Sequence, residues 1–152
     1  MSFLVFEDLK QEISDIIHED TQQHGNHIDL TVKEVFRVTG AGSLDFGGSE
    51  FNPATSEKIT PEKQKQDDDY GWWKLGQGPY KIIFNETLNL KEDHTAIISP
   101  HTHARKAGLI SDSFIIPSGE NEDDLSMNIT ISEAGCNIKE NARIAELRIL
   151  ES

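Results

Sequence analysis

The sequence predicts a mainly β protein, a sandwich or barrel of many short strands with one helix at its N-terminus. Three observations carry this. Apolar and polar residues alternate in short runs, first at Ile28, Leu30 and Val32, the period-two pattern of a half-buried strand. Turn formers such as Thr39-Gly40-Ala41-Gly42-Ser43 and Gly76-Gln77-Gly78-Pro79 separate the runs, and short strands punctuated in this way build sandwiches and barrels. Only the start of the chain keeps a different period. There Leu4, Phe6, Leu9, Ile13, Ile16 and Ile17 recur every three or four residues, as on the buried face of a helix.

In order, the pattern predicts a helix over 4–20, with Gln22-Gln23-His24-Gly25-Asn26 ending an N-terminal helical unit at 1–24. A strand follows at 28–38, then the turn at 39–43 and a short strand at Leu44-Asp45-Phe46. Residues 52–71 are polar, carry Pro53 and Pro61, and predict a long surface loop. Its Asp67-Asp68-Asp69 triplet reads as solvated, because adjacent carboxylates cannot all converge on one ion. Trp72-Trp73-Lys74-Leu75 restarts ordered structure, with one Trp facing the core and the other the surface, since strand neighbours point opposite ways. Further strands are expected at 80–86, continuing through Leu88 and Leu90, and at 96–98, 114–116, 127–131 and 143–150. No repeat interrupts this order, and 1–152 reads as a single domain.

Twenty-seven acidic against 14 basic residues give a net charge of −13. That argues against nucleic acid as a partner, which needs a basic face for phosphates, and against anionic membrane surfaces. No apolar run reaches the roughly 20 residues of a membrane span. The N-terminus lacks the basic start of a secretory signal, and the one cysteine, Cys136, fits a reducing compartment, so a cytoplasmic location is expected.

Several segments, in order, resemble the trimeric dUTPase and dCTP deaminase superfamily, most of all its archaeal dUTPase-like branch. His27-Ile28-Asp29-Leu30 through Val38 resembles the first motif, centred on an Asp-Leu pair. Gly42-Ser43-Leu44-Asp45-Phe46 resembles the segment after it. Trp72 to Leu75, Gly78-Pro79-Tyr80 and Phe84-Asn85-Glu86 resemble the strand pair before the second motif. Asn141 to Leu147 resembles the fourth motif. The resemblance implies a distorted antiparallel β-barrel and a homotrimer with sites between subunits. It also implies hydrolysis of dUTP to dUMP and pyrophosphate with Mg²⁺, or deamination of dCTP.

The match departs from the family where the chemistry lies. Asp29 matches the first-motif carboxylate and is expected to be catalytic. The second motif, usually Arg-Ser-Ser, reads His101-Thr102-His103 ahead of Arg105 and Gly108. His101, Thr102, His103 and Arg105 are therefore the candidate ligand-binding residues, although His101 lacks the bidentate fork that Arg offers phosphate. Counted back from Arg143, the third motif falls at Pro117-Ser118-Gly119-Glu120. Proline cannot serve as a base, which leaves Glu120 as the second catalytic candidate, or Glu122, Asp123 or Asp124 in a shifted register. Glu146 stands where Gln is usual, and no Gly-rich arm follows the fourth motif before Ser152. His101-x-His103, extended, would put two imidazoles on one face beside His94 or Asp93. That admits either a transition-metal site or a pair of surface histidines. Three functions stay open: a deoxynucleotide site with altered catalysis, a non-catalytic trimeric binding or structural protein, and a His-based metal-dependent hydrolase.

Overall fold

The strand predicted at 28–38 forms and extends to Gly40. Around it, the computed structural model describes residues 1–122 and 124–152, with the side chains of Asn121 and Glu122 outside that description. In chain order the elements are β1 (Ser2–Phe3), α1 (Phe6–Leu9), a 3-10 turn (Lys10–Glu12), β2 (Ile13–Ser14), α2 (Glu19–Gln22), β3 (Ile28–Gly40), β4 (Thr55–Ile59), β5 (Trp72–Leu75) and β6 (Gly78–Phe84). They continue with β7 (Thr87–Asn89), β8 (His94–Pro100), α3 (Thr102–Lys106), β9 (Leu109–Ile110), β10 (Phe114–Ile116), β11 (Asn121–Glu122), β12 (Ser126–Ile131), β13 (Cys136–Lys139) and β14 (Arg143–Glu151).

Seven strands run β10-β8-β14-β3-β6-β12-β9 across one sheet, with β1 added on β14 and β4 on β3. The sheet is antiparallel and curls into a half-barrel, as predicted. Smaller ladders, β11-β7-β2 and β13-β5, flank it. The alternation predicted for the strands is visible in β12, where Met127, Ile129 and Ile131 enter the core and Asn128 and Thr130 face outward. At the start of β3 the alternation stops. Ile28, Asp29, Leu30, Thr31 and Val32 are all buried, so both faces of the strand are covered.

The N-terminal cover is not the continuous helix expected over 4–20. Two four-residue helices, α1 and α2, are separated by a strand in which Ile13 pairs with Leu88, and Asp15 takes a positive φ of 64°. Leu4, Phe6, Leu9 and Ile13 do reach the core. Their spacing records burial, and the pairing with β7 overrides the helical period. Two smaller expectations also change. Leu44 and Phe46 lie on an exposed loop closed by the Ser43–Asn52 bridge, not in a strand. The polar segment 52–71 is largely exposed, as expected, but β4 within it pairs with β3. Trp73 is buried and Trp72 half-buried, the split the sequence predicts. No helix among the described residues is long and apolar enough to cross a membrane.

Candidate functional site

Register builds the site. Asp29 on β3 lies opposite Glu146 on β14, and Glu146 lies opposite Ser99 on β8. These residues therefore form one row across three neighbouring strands. Arg143 joins Asp29's face through a bulge: Arg143 pairs with Thr31 and Ala145 with Leu30, leaving Ile144 as the extra residue. Because side chains alternate, the insertion puts Arg143 on the face of Thr31 and Asp29. Its Nη1 donates to Asp29 Oδ2 at 3.1 Å.

Asp29 is fully buried, and its Oδ2 gathers further partners. His24 Nε2 lies at 3.0 Å and His101 Nε2 at 3.7 Å. The other oxygen, Oδ1, is buried with no hydrogen-bond partner among the described residues, a state that costs about 1–3 kcal/mol. Beside this group, Arg148 Nη1 donates to Glu146 Oε1 at 3.1 Å, and His27 Nε2 is 4.0 Å from Glu146 Oε2. Burial lowers the pKa of His101 against the opposing pull of Asp29, and burial and then Arg148 lower that of His27.

His101 follows β8 and caps α3. Its backbone N–H donates to Ile144 O at 2.9 Å, and its Nδ1 accepts the backbone N–H of His103 at 2.9 Å. With Nδ1 an acceptor, the neutral ring carries its proton on Nε2, toward Asp29. The extended His101-x-His103 pair is thus replaced by a helix start. His103 is exposed, and His94 is bound elsewhere, to buried Glu12 at 2.7 Å. Thr102 and Arg105 are exposed on α3, and Arg105 forms no ion pair among the described residues. Glu120 is exposed on a turn after β10. That turn meets the start of β8, where Ser118 Oγ lies 3.2 Å from Thr95 Oγ1. The Asp29 row crosses β8 at Ser99, four residues on, or roughly 13 Å along the strand. One chain therefore keeps Asp29 and Glu120 apart. Of the shifted-register candidates, Asp124 is exposed, whereas Asp123 and the Glu122 side chain lie outside the described residues.

Sequence reasoning missed His24, read there as part of a turn, and His27, read there as the start of the first-motif segment, although His24-x-x-His27-x-Asp29 is a visible donor spacing. It also missed Glu86, which is fully buried and tied to Thr31 and Gln22. Next to the cluster lies a cavity of about 200 Å³ with Trp72, Ala104, Ile138 and Ile144 in its wall and His103, Lys139 and Arg143 also lining it.

The implied Mg²⁺ fits these residues poorly. Magnesium takes oxygen ligands, keeps its waters and binds carboxylates together with substrate phosphates. The Asp29 carboxylate is instead dry, held by a guanidinium and ringed by imidazoles.

Fold and site together define a protein of the dUTPase and dCTP deaminase type. A crystal structure of 2'-deoxycytidine 5'-triphosphate deaminase from Agrobacterium tumefaciens superposes with a TM-score of 0.70 at 13% identity, covering 99% of this chain and 48% of that one. The chain thus spans about half of the deaminase's length, and the likeness is one of fold. No protein-family model matches the sequence. Among curated proteins, the probable deoxyuridine 5'-triphosphate nucleotidohydrolase of Methanosarcina mazei is 31% identical over 135 residues, 89% of this chain and 75% of the relative. Its counterpart from Methanosarcina acetivorans is 32% identical over 128 residues, 84% of this chain and 71% of the relative. The chain belongs to this family of archaeal dUTPase-like proteins.

Proposed function

We propose that the protein is a divergent dUTPase-family member that forms a homotrimer and binds a deoxynucleotide, dUTP first, between subunits, with hydrolysis to dUMP and pyrophosphate weak or lost. The observation that carries this reading is the state of Asp29. A carboxylate that orients water or a hydrated ion must be open to it. Asp29 is sealed and held by Arg143 at 3.1 Å. Glu120 lies at the other end of β8 and can approach such a site only from a neighbouring copy. Thr102 and Arg105 remain free on α3, one offering a hydroxyl and the other a bidentate fork for a phosphate.

The sealing of Asp29 equally favours the second reading, a trimeric frame kept for binding or assembly without chemistry. The His101/His103 hydrolase has the least support, because His101 spends Nδ1 on the backbone of α3.

A thermal-shift series with dUTP, its non-hydrolysable analogue, dUMP and dCTP tests the proposal, alongside light scattering for mass. A deoxynucleotide at a hundredfold excess over its dissociation constant stabilises the native state by about 2.7 kcal/mol. The expected result is a selective shift with a deoxyuridine nucleotide, lost in Arg105→Ala, on a trimeric particle. No shift with any nucleotide would discard the ligand and leave the assembly reading. A monomeric mass would discard the intersubunit site.

A further inference from the structure

We propose that the chain carries a site for one borderline transition-metal ion, of the Zn²⁺, Ni²⁺ or Co²⁺ class, formed by His24, His27, Asp29 and Glu146. The site does not depend on the nucleotide reading and needs no substrate.

A tight turn prepares the two imidazoles. His24 N–H donates to His27 O at 3.0 Å, the Gln23–Ile28 bridge closes the turn, and the rings stack 4.4 Å apart with planes 13° from parallel. Gln22 fixes the approach. Its amide donates to Asp29 O at 2.9 Å, and its Oε1 accepts the backbone N–H groups of Ile17 and His18. Two histidines are thus held over a buried carboxylate by local backbone structure.

The spacing suits an ion. Donor atoms of His24, His27 and Asp29 lie within 4.8 Å of one another. His24 Nε2 to Asp29 Oδ2 is 3.0 Å and His27 Nε2 to Glu146 Oε2 is 4.0 Å. Ligands of a tetrahedral ion at zinc-like bond lengths sit about 3.3 Å apart, between those two values. Glu146 reaches the group because it faces Asp29 in strand register.

A second observation is independent of the cluster's composition. Asp29 is fully buried, and its Oδ1 has no hydrogen-bond partner among the described residues. Oδ2 already faces Arg143 and His101, and His24 turns from Oδ2 to an ion by giving up its Nε2 proton, so Oδ1 is the oxygen with no competitor. Two imidazoles with two carboxylates form a mixed nitrogen and oxygen set, which suits borderline divalent ions and not magnesium. His101 is left out, since its ring is committed through Nδ1 to capping α3 and its Nε2 stands 3.7 Å from Asp29.

Arg143 decides occupancy. Its guanidinium lies 3.1 Å from Asp29 Oδ2, where it competes with an ion for the same charge, and with its side chain 36% exposed it has room to swing out. Removing it should tighten binding, the opposite of what loss of a structural ion pair would do to a bystander site.

The test uses the full-length protein, stripped with chelator and free of nucleotide. Zn²⁺ and Co²⁺ are titrated by calorimetry, the cobalt spectrum is followed, and Mg²⁺ is run in parallel. The expected result is one ion per chain, a tetrahedral cobalt spectrum and no displacement by equimolar Mg²⁺. His24→Ala and His27→Ala should each weaken binding by tenfold or more, and Arg143→Gln should strengthen it. Failure to bind either ion, or binding unchanged in both histidine variants, overturns the proposal. Arg143→Lys replaces Arg143→Gln if circular dichroism shows the latter misfolded, with weaker competition and tighter binding again expected.

Discussion

Replacing Glu86 by Gln keeps the side chain's shape and removes its charge, so it isolates the chemistry of a fully buried carboxylate. Oε1 accepts the Thr31 backbone N–H at 2.8 Å, while Oε2 accepts the Thr31 hydroxyl at 2.6 Å and Gln22 Nε2 at 2.9 Å. Three donors converge, and a glutamine oxygen can serve only one side of them. If it keeps the backbone bond, its NH₂ points at the Gln22 amide, donor against donor. The Thr31 hydroxyl can turn to accept, although Asn85 Nδ2 already donates to it at 2.9 Å. The net loss is one hydrogen bond to a charged group, worth about 1.5–3 kcal/mol, less the relief of not burying a charge. We expect a loss of about 2 kcal/mol at pH 7, a fall in Tm of roughly 4–8 °C for a chain of this length at fixed protein concentration.

The pH dependence separates this account from simple packing. Burial raises the Glu86 pKa above 4.5, against the lowering effect of its bonds to Thr31. The folded state therefore holds the proton more tightly than the unfolded chain. This contribution is present at low pH and is lost as pH rises through the folded pKa. The gap between wild type and Glu86→Gln should widen as pH falls from 7 toward 4.5, read as urea midpoints. A gap that stays constant or closes, or a variant more stable at pH 7, would refute the reasoning.

Three further outcomes follow from particular contacts. Burial lowers the His101 pKa below 6.5 despite Asp29, with His103 and Arg143 also lowering it and Glu146 raising it. The folded state thus resists protonation. His101's contribution should be complete above about pH 6.5 and fall as pH drops below it, so a flat urea midpoint between pH 7 and 5.5, identical in His101→Asn, would contradict the assignment. Gly135 has φ +81°, and a Cβ there would meet Leu75 O at 3.0 Å. Gly135→Ala should cost about 1–3 kcal/mol in denaturant unfolding, from strain at a left-handed position, and a change within experimental error would be contrary. Trp73 Nε1 donates to Ile59 O at 2.8 Å. Trp73→Phe should cost about 1–3 kcal/mol and speed proteolysis within 52–71, whereas unchanged cleavage would show that this bond does not hold the segment.

The barrel strands were legible because each half-buried strand writes its own period-two record. Met127, Ile129 and Ile131 need no knowledge of their partners to be read as one face. The N-terminal cover was misread for the complementary reason. Leu4, Phe6, Leu9 and Ile13 are spaced as on one helix, yet only Phe6 and Leu9 share α1, while Leu4 bonds to Ile149 on β14 and Ile13 pairs with Leu88 on β7, some seventy residues away. An apolar residue records that it is buried, and only a long regular run records how.

The site shows the same limit more sharply. Asp29 was found because it sits in a strand whose pattern could be matched. Its partner Arg143 depends on one inserted residue at Ile144, and no glycine or proline flanks that bulge to announce it. Without the bulge Arg143 would face the other side of the sheet, and Asp29 would lack its guanidinium. The His24–His27 turn is local in sequence, but its meaning is not. The spacing becomes a four-ligand set only when β14 brings Glu146 opposite Asp29. The bulge at Ile144 thus decides whether the buried Asp29 carboxylate faces a guanidinium. For that reason Arg143, the residue of the fourth-motif segment that the bulge turns toward Asp29, is the position at which the chemistry of this chain can be switched.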